Sequence, residues 1–427
     1  MNDIKSILVL YLVYTLLIDV SPIFFESRPD LFARERYARS RNKTTERSFD
    51  SIEGLKSLDF VALVNRFGYP AEEHLVTTID GYKLRIHRIP GSPSIPKAAK
   101  KPIALFQHGI FASSDLWILS GPTKDLAYLL ADAGYDVWLS NARGNTYSRS
   151  HTTLSPNRDQ QFWQFSFHEI AVFDMTAVID YILQLTDQQS IVYIGHSMGT
   201  TISYVLLSTK PEYNKKLKLI ISLSPVVYWH TPHSPMVKFV KKNFEAFKNF
   251  YISSGTYEVF PLTKANIKVL YSFCSNESIL QQYCIKLIYY LFGYNPSQFI
   301  TSKLPTLVSY FPSGSSIQTL THFYQNLISD SFKMFDYGII QNFAVYKQRE
   351  PPHYNLSNIV APVALFYGKG DTLISPHNSI DLSKDLRNIV TIEPVKDEMF
   401  THFDFLISRD LKTVLNDRIL EIISEVA

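Results

Sequence analysis

Short apolar runs alternate with amphipathic stretches along much of the chain. Helical spacing of apolar residues appears at 122–133 and again from Phe167 to Ile182, where Ile170, Ala171, Asp174 and Val178 share one stripe. Such alternation predicts a mostly parallel sheet with helices on both faces. The strand-like runs before and between these helices lie at 102–107, 136–140, 191–194 and 219–223.

The segment before these runs has a different pattern. Residues 72–89 contain two alternating apolar and polar segments, which are separated by Asp80 and Gly81. An Asp-Gly pair between alternating segments favours a tight two-residue turn. We therefore expect an antiparallel hairpin here.

The alternation stops near Tyr228 and resumes near residue 351. The stretch between is irregular and helical, rich in Phe, Tyr and Lys, and contains nothing like a parallel strand. After it come a strand at 362–367, a helix near 376–385, a strand at 389–395 and a terminal helix from about residue 410. This predicts an α/β core of residues 60–227 and 351–427, interrupted by a mainly helical cap at 228–350.

The N-terminus carries the features of a secretory leader. Ile7 to Ile18 is almost unbroken apolar sequence, which suits the apolar centre of a signal peptide and is short for a membrane span. Residues 1–20 are therefore assigned to a signal peptide, with an uncleaved anchor as the alternative. Residues 21–59 are polar and basic and are assigned to a leader or propeptide. N-x-[ST] sequons at Asn42, Asn276 and Asn355 agree with a secreted or lysosomal protein.

Composition excludes several function classes. The 427 residues include 42 basic and 39 acidic ones, so a net charge of +3 gives no general affinity for nucleic acid. With 46% apolar residues the chain can bury a large core. No phosphate-binding glycine loop and no zinc-type cysteine spacing is present. We therefore predict no cofactor, no metal and no obligate protein partner.

The stretch around Ser197 is where chemistry is predicted. Ser197 lies at the centre of a G-x-S-x-G pattern between a buried strand and a helical segment. A serine at such a turn is exposed in a strained backbone conformation, and Gly195 and Gly199 are needed because larger side chains would collide with the strand and helix. The following helix directs its first N–H groups at the serine, which favours negative charge there.

An acid and a histidine follow in the order that an α/β-hydrolase sheet requires. Asp371 comes directly after the 362–367 strand, although the same residue could serve as a helix N-cap. His402 lies in the loop after the next strand. His377 is too close to Asp371, and His353 precedes the acid.

These residues define an ester-hydrolysis mechanism. His402 would take the proton of Ser197 during attack on an ester carbonyl, and Asp371 would fix the imidazole tautomer. The oxyanion would be bound by the backbone N–H groups of Met198 and Ile110. His196 is assigned to packing of the turn.

Several stretches together resemble the acid lipase family of animals, which includes gastric lipase and lysosomal acid lipase. They include GYPAEEHLVTTIDGYKLRIHRIP, FQHGIFASSDLW, LADAGYDVWLSNARGNTYSR, FWQFSFHEIAVFDMTAVIDYI, GHSMGT and HFDF, spread over most of residues 60–427. The resemblance implies an α/β hydrolase acting on triacylglycerols or steryl esters at a lipid–water interface, with a mobile cap. It also implies that Cys274 and Cys284 pair; the residues alone left a disulfide or two buried thiols open.

Three positions depart from the family pattern. Met198 stands where the vertebrate members often have Gln, Phe400 where Trp is common, and His168 where an acidic residue is common. The basic leader has no counterpart in the family.

Rival functions remain open from the sequence. A soluble short-chain carboxylesterase would share the chemistry, but the long apolar insertion favours a lipase. A non-catalytic lipid-binding protein could keep the fold, but Ser197, Asp371 and His402 are all present. A membrane-anchored signalling or adhesion protein would require the N-terminal apolar segment to stay uncleaved.

Overall fold

An eight-stranded sheet forms the centre of the computed structural model, which describes residues 58–229 and 235–426. The strand order in this sheet is β1-β2-β4-β3-β5-β6-β9-β10, where β7 and β8 are a separate two-stranded pair. The strands are β1 Glu72–Thr77, β2 Lys83–Ile89, β3 Ile103–Gln107, β4 Asp136–Leu139, β5 Ile191–His196, β6 Leu217–Leu223, β7 Glu258–Val259, β8 Ser315–Ser316, β9 Val363–Tyr367 and β10 Ile389–Pro394.

The strand directions confirm the predicted sheet. From β4 onward along the sheet every pairing is parallel, whereas β1 with β2 and β2 with β4 are antiparallel. The predicted hairpin forms around Asp80 and Gly81, where Gly81 adopts a φ of 97° and Thr77 pairs with Lys83.

The described residues also form helices. They are α1 Phe60–Arg66, α2 Leu126–Asp132, α3 Thr176–Thr186, α4 Met198–Thr209, α5 Pro235–Ser253, α6 Lys264–Cys274, α7 Gln281–Phe292, α8 Leu304–Val308, α9 Ile317–Ser329, α10 Ile339–Tyr346, α11 Pro376–Asp385, α12 Asp404–Ile407 and α13 Asp417–Val426. A helical turn at Phe167–Glu169 and a π-helical segment at Ile170–Met175 lead without a break into α3.

Both faces of the sheet are buried. In β3, Ala104 and Phe106 belong to the core on one face, and Ile103 and Leu105 belong to the core on the other. All four side chains are at most 2% exposed. Burial on both faces explains why these strands appear in the sequence as continuous apolar runs rather than alternating ones.

The segment between β6 and β9 is mainly helical, as predicted. Its described residues form α5 to α10 and the β7–β8 pair. A disulfide joins Cys274 at the end of α6 to Cys284 in α7, with the two Cα atoms 5.6 Å apart, which confirms the predicted pairing. The division into a core and a 228–350 cap stays a prediction.

The predicted signal peptide, the basic leader to residue 57 and the Asn42 sequon lie outside the described residues. Within residues 58–229 and 235–426, no helix combines the length and apolar character needed to cross a bilayer.

Candidate active site

Ser197 occupies a sharp turn between β5 and α4. Its backbone has φ 53° and ψ −122°, a conformation that is unfavourable for a residue with a side chain. The neighbouring glycines permit it. A Cβ at Gly195 would lie 2.8 Å from the Gly199 carbonyl, and one at Gly199 would overlap the carbonyl oxygen of Gln107. The turn therefore forms for the reason that the G-x-S-x-G pattern predicted.

Tertiary hydrogen bonds hold this turn. The backbone N–H of Ser197 donates to the carbonyl oxygen of Leu223 at 3.0 Å, which ties the turn to the end of β6. The Ser197 carbonyl accepts from the Thr200 hydroxyl at 2.7 Å. The Ser197 side chain makes no hydrogen bond that caps α4.

Asp371 and His402 are brought together by the order of neighbouring strands. Asp371 follows β9 and His402 follows β10, and these strands lie beside each other on the same side of β5. His402 Nδ1 donates to Asp371 Oδ2 at 2.8 Å, and both side chains are almost wholly buried. A carboxylate can only accept, so this contact places the proton on Nδ1 and leaves Nε2 able to accept one.

Asp371 does not serve as the helix N-cap that the sequence left as an alternative, because α11 begins at Pro376 with Ser375 at its N-cap position. Asp371 Oδ1 accepts from the backbone N–H groups of Leu373 at 2.9 Å and Ile374 at 2.8 Å. The turn contacts and the histidine contact use different oxygens, so the loop contacts orient the carboxylate toward His402 rather than competing with it.

Ser224 is a member of this cluster that the sequence did not reveal. It follows β6, and its hydroxyl lies 2.6 Å from Asp371 Oδ2 and 2.9 Å from His402 Nδ1. Nothing in the local sequence LSPVV distinguishes it from other buried serines. Only the pairing of β6 with β9 could have indicated it.

The backbone of His402 is held from two sides. Its carbonyl oxygen accepts from His196 Nε2 at 3.0 Å, and its N–H donates to the carbonyl oxygen of Phe292 at 3.3 Å. Burial holds the pKa of His196 well below its usual value, so this ring stays neutral. His196 is thus buried at the turn, as predicted, and also supports the His402 loop.

The predicted oxyanion loop lies directly against the nucleophile. A Cβ built at Gly109 would come within 3.0 Å of Ser197 Cβ. His108 Nε2 accepts from the N–H of Ala142 at 3.1 Å, so Nδ1 carries the proton and donates to the Gly109 carbonyl oxygen at 2.7 Å. The C=O and N–H of one trans peptide point in opposite directions. This bond therefore fixes the direction of the Ile110 N–H as well.

Residues of the inserted segment contact the predicted oxyanion loop. Phe111, the residue after Ile110, packs edge-on against Phe260 at 5.0 Å, and its carbonyl accepts from the N–H of Ser313 at 2.6 Å. Phe247 and Tyr251 of α5 belong to the same apolar cluster. Ser197, whose Cβ lies next to this loop, is only 7% exposed.

The remaining residues singled out in the sequence make other contacts, and the Phe400 carbonyl accepts from the N–H of Gly370, the residue before Asp371, at 3.0 Å. His168 Nδ1 bonds the Tyr354 hydroxyl at 2.9 Å, and Phe400 is fully buried against Phe405. His377 lies in α11, and His353 forms an isolated bridge with Lys333. The sequon residues Asn276 and Asn355 are exposed.

Two family models match the chain. A family model described as the alpha/beta hydrolase fold matches residues 102–408, and one described as a partial alpha/beta-hydrolase lipase region matches residues 60–121. The chain is therefore an α/β hydrolase.

Two similar proteins indicate the family within the α/β hydrolases. Human gastric triacylglycerol lipase is 34% identical over 377 residues, which cover 86% of this chain and 92% of that protein. Human lysosomal acid lipase/cholesteryl ester hydrolase is 34% identical over 374 residues, covering 87% and 92%. The chain belongs to the lipase family that contains these enzymes, and its predicted class, a carboxylic ester hydrolase of the lipase type, is confirmed.

A solved structure supports the fold independently. The soluble variant of monoglyceride lipase from Saccharomyces cerevisiae aligns with a TM-score of 0.50 at 14% identity, over 84% of this chain and 96% of that one. At this identity the likeness shows the shared α/β-hydrolase fold.

Proposed function

We propose that Ser197, Asp371 and His402 form a catalytic triad that cleaves acyl esters of neutral lipids through an acyl-enzyme. The observation that carries this proposal is the 2.8 Å bond between His402 and Asp371, because His402 is also joined through its carbonyl to His196, the residue before the strained Ser197 turn. The bond leaves the unprotonated Nε2 of His402 available as a general base, which is the state that serine activation requires.

The chemistry follows from these positions. His402 Nε2 takes the proton of Ser197 while the serine oxygen attacks the ester carbonyl, and Asp371 stabilises the imidazolium. Collapse of the tetrahedral intermediate breaks the bond to the leaving alcohol, which receives the proton from His402. Water then repeats the sequence on the acyl-enzyme and releases the fatty acid.

Two backbone N–H groups are proposed to bind the oxyanion. Met198 is the first residue of α4, so its N–H has no partner within the helix and points toward the serine side. The Ile110 N–H is held in direction by the His108 bond to the Gly109 carbonyl. Because both donors are fixed before the substrate arrives, little reorganisation is needed as charge develops.

A lipid surface is the proposed source of the substrate. On the outer side of α5, Phe239 is 37% exposed and Phe250 is 44% exposed, and they lie three helical turns apart on one side. Lys238 and Lys242 are exposed beside them. Exposed aromatic residues beside lysines are typical of helices that lie in a lipid interface.

The names of the relatives supply the substrate class. One is a triacylglycerol lipase and the other a cholesteryl ester hydrolase, so triacylglycerols and steryl esters are the proposed substrates here. We further propose that residues 228–350 are a mobile cap, that the protein enters the secretory pathway for export or for the lysosome, and that Asn42, Asn276 and Asn355 accept glycans.

Hydrolysis of emulsified triolein and cholesteryl oleate tests this function. Wild type and Ser197→Ala are compared at acidic and neutral pH, with p-nitrophenyl butyrate as a soluble ester. Activity on the emulsions that is lost in the variant is the expected result. Cleavage of the soluble ester alone would favour a carboxylesterase. A folded wild type that cleaves none of the three would favour a non-catalytic lipid-binding protein.

A further inference from the structure

Ser224 contacts both the proposed acid and the proposed base. Its hydroxyl lies 2.6 Å from Asp371 Oδ2 and 2.9 Å from His402 Nδ1, and these two atoms are themselves 2.8 Å apart. The side-chain atoms therefore form a closed triangle. Ser224 is 1% exposed, so no solvent competes for these bonds.

The direction of each bond in the triangle can be assigned. Asp371 Oδ2 can only accept, so both the Ser224 hydroxyl and His402 Nδ1–H donate to it. The serine oxygen keeps its lone pairs and lies within reach of the same Nδ1–H, which can share its proton between the two oxygens. Loss of the hydroxyl would leave Asp371 Oδ2 with one donor and Nδ1–H with one acceptor.

The backbone at Ser224 is held in a conformation that disfavours a side chain. Its φ is 49°, and its N–H donates to the carbonyl oxygen of Phe366 at 2.8 Å. Glycine is the residue that adopts this region without cost. Ser224 nevertheless carries a side chain here, and its hydroxyl contacts both Asp371 and His402. We therefore expect these contacts to offset the backbone strain.

We propose that Ser224 is a positioning residue of this site, which orients the Asp371 carboxylate and fixes the Nδ1-protonated form of His402. It does not contact the substrate and acts through the other two residues. This inference rests on the proposed function, because it concerns the efficiency of the same acid–base pair.

Two variants at residue 224 separate the hydroxyl from the backbone. Ser224→Ala removes the hydroxyl and keeps the strained φ, whereas Ser224→Gly removes both. The glycine variant should therefore melt at a higher temperature than the alanine variant. In both variants kcat on p-nitrophenyl butyrate should fall about ten- to a hundredfold with KM unchanged, the range for losing a hydrogen bond to a charged group.

Ser222 provides a matched control on the same strand. It is fully buried, and its hydroxyl bonds the Tyr204 hydroxyl at 2.6 Å, away from the cluster. Ser222→Ala should lower the melting temperature and leave kcat within twofold of wild type. A double variant completes the set: adding Ser224→Ala to Asp371→Asn should change the residual kcat less than threefold, because both residues act through His402.

The outcomes are distinct. A kcat for Ser224→Gly within twofold of wild type, or losses at 224 that follow melting temperature, would overturn the positioning role while the lipase activity stands. The positioning role would also be overturned if the losses of kcat from Ser224→Ala and Asp371→Asn were fully additive in the double variant. If wild type cleaves no ester, or Ser197→Ala is as active as wild type, the proposed function fails and the role of Ser224 fails with it.

Discussion

His402 donates its backbone N–H to the carbonyl oxygen of Phe292, the last residue of α7, at 3.3 Å. The rings of the same two residues are nearly parallel, with centroids 6.3 Å apart. The inserted segment therefore contacts the site directly, because the end of one of its helices holds the loop that carries the proposed base.

Gly293, the residue after Phe292, should be intolerant of substitution. It has φ 116°, and a Cβ there would overlap the Gly370 carbonyl oxygen and lie 2.9 Å from Thr401 Cγ2. Gly293→Ala should move the end of α7 away from His402, lowering kcat at least tenfold and the free energy of unfolding by about 1–3 kcal/mol. Turnover of a soluble ester and denaturant unfolding measure the two effects.

Gly255 is the control for backbone strain alone. It lies in the same inserted segment with φ 70°, and a Cβ added there would have no other atom within 4 Å. Gly255→Ala should cost about 1–2 kcal/mol of stability and leave kcat unchanged. Equal turnover in the two alanine variants would contradict a role for the α7 end in positioning His402.

The disulfide should resist alkylation until it is reduced. Cys274 is 2% exposed and Cys284 is 8% exposed, and their bond ties α6 to the helix that ends at Phe292. Replacing both cysteines by alanine should cost about 2–3 kcal/mol of stability, the size expected for a short closed loop. Mass spectrometry after iodoacetamide treatment, with and without reductant, shows whether the two cysteines are alkylated. Labelling of the native, unreduced protein would refute the bond.

The contribution of Asp404 to stability should decline as pH rises from about 4 to 6. Burial raises the pKa of Asp404 to about 6 from its ordinary value of 3.8. Between these values the folded state binds more protons at this carboxyl than the unfolded state, so its contribution is complete below pH 4 and is lost as pH rises toward 6. A pKa difference of about 2 corresponds to about 3 kcal/mol.

Asp404→Asn isolates this contribution. Asp404 Oδ2 accepts from the Thr401 N–H at 2.8 Å and from Asn295 at 3.0 Å, bonds that the asparagine oxygen can keep. The variant should be equal in stability to wild type near pH 4 and more stable at pH 7, so the difference between them should grow as pH rises. Chemical denaturation of both proteins at several pH values measures this difference, with the exposed Asp187→Asn as the control variant. A difference that stays constant between pH 4 and pH 7 would contradict the argument.

The exposed side of α5 should be needed for emulsions and not for soluble esters. Phe239→Ser with Phe250→Ser should reduce binding to triolein droplets and the rate on them by about tenfold or more, because two partly exposed aromatic anchors are lost. The rate on p-nitrophenyl butyrate should stay within twofold of wild type. Droplet flotation and paired assays provide the measurements.

A second exposed apolar helix supplies the comparison for α5. On α10, Ile339, Ile340 and Phe343 are each more than 60% exposed. Serine substitutions at Ile340 and Phe343 should leave droplet binding unchanged if α5 is the contact. If the α10 variant loses droplet binding and the α5 variant does not, the lipid-contacting surface is on α10 instead.

Much of the fold could be predicted because local pattern and burial agree. The parallel strands are buried on both faces and appear as apolar runs, and the Asp80-Gly81 turn specifies its hairpin. Ser197, Asp371 and His402 could be chosen because each follows a recognisable strand. Their order along the chain then fixes which strand ends they occupy.

The parts that escaped prediction depend on contacts distant in sequence. The helical stripe through Asp174 predicted one regular helix, but residues 170–175 are π-helical. Asp174 is buried there and accepts from the backbone N–H and the Nε of Arg143. The contacts of Ser224, His196 and Phe292 likewise join segments that are distant in sequence and come together only in the folded protein. The spacing of residues along the chain does not indicate such contacts.

Three residues around the site, Phe111, Ser197 and Ser224, share a positive φ, with values of 61°, 53° and 49°. Glycine adopts such φ values without strain. At Phe111 the ring contact with Phe260 opposes that change, but selection for heat resistance alone would favour glycine at positions 197 and 224. At position 197 that gain would erase the nucleophile, so screens on this scaffold need turnover as a second criterion from the first round.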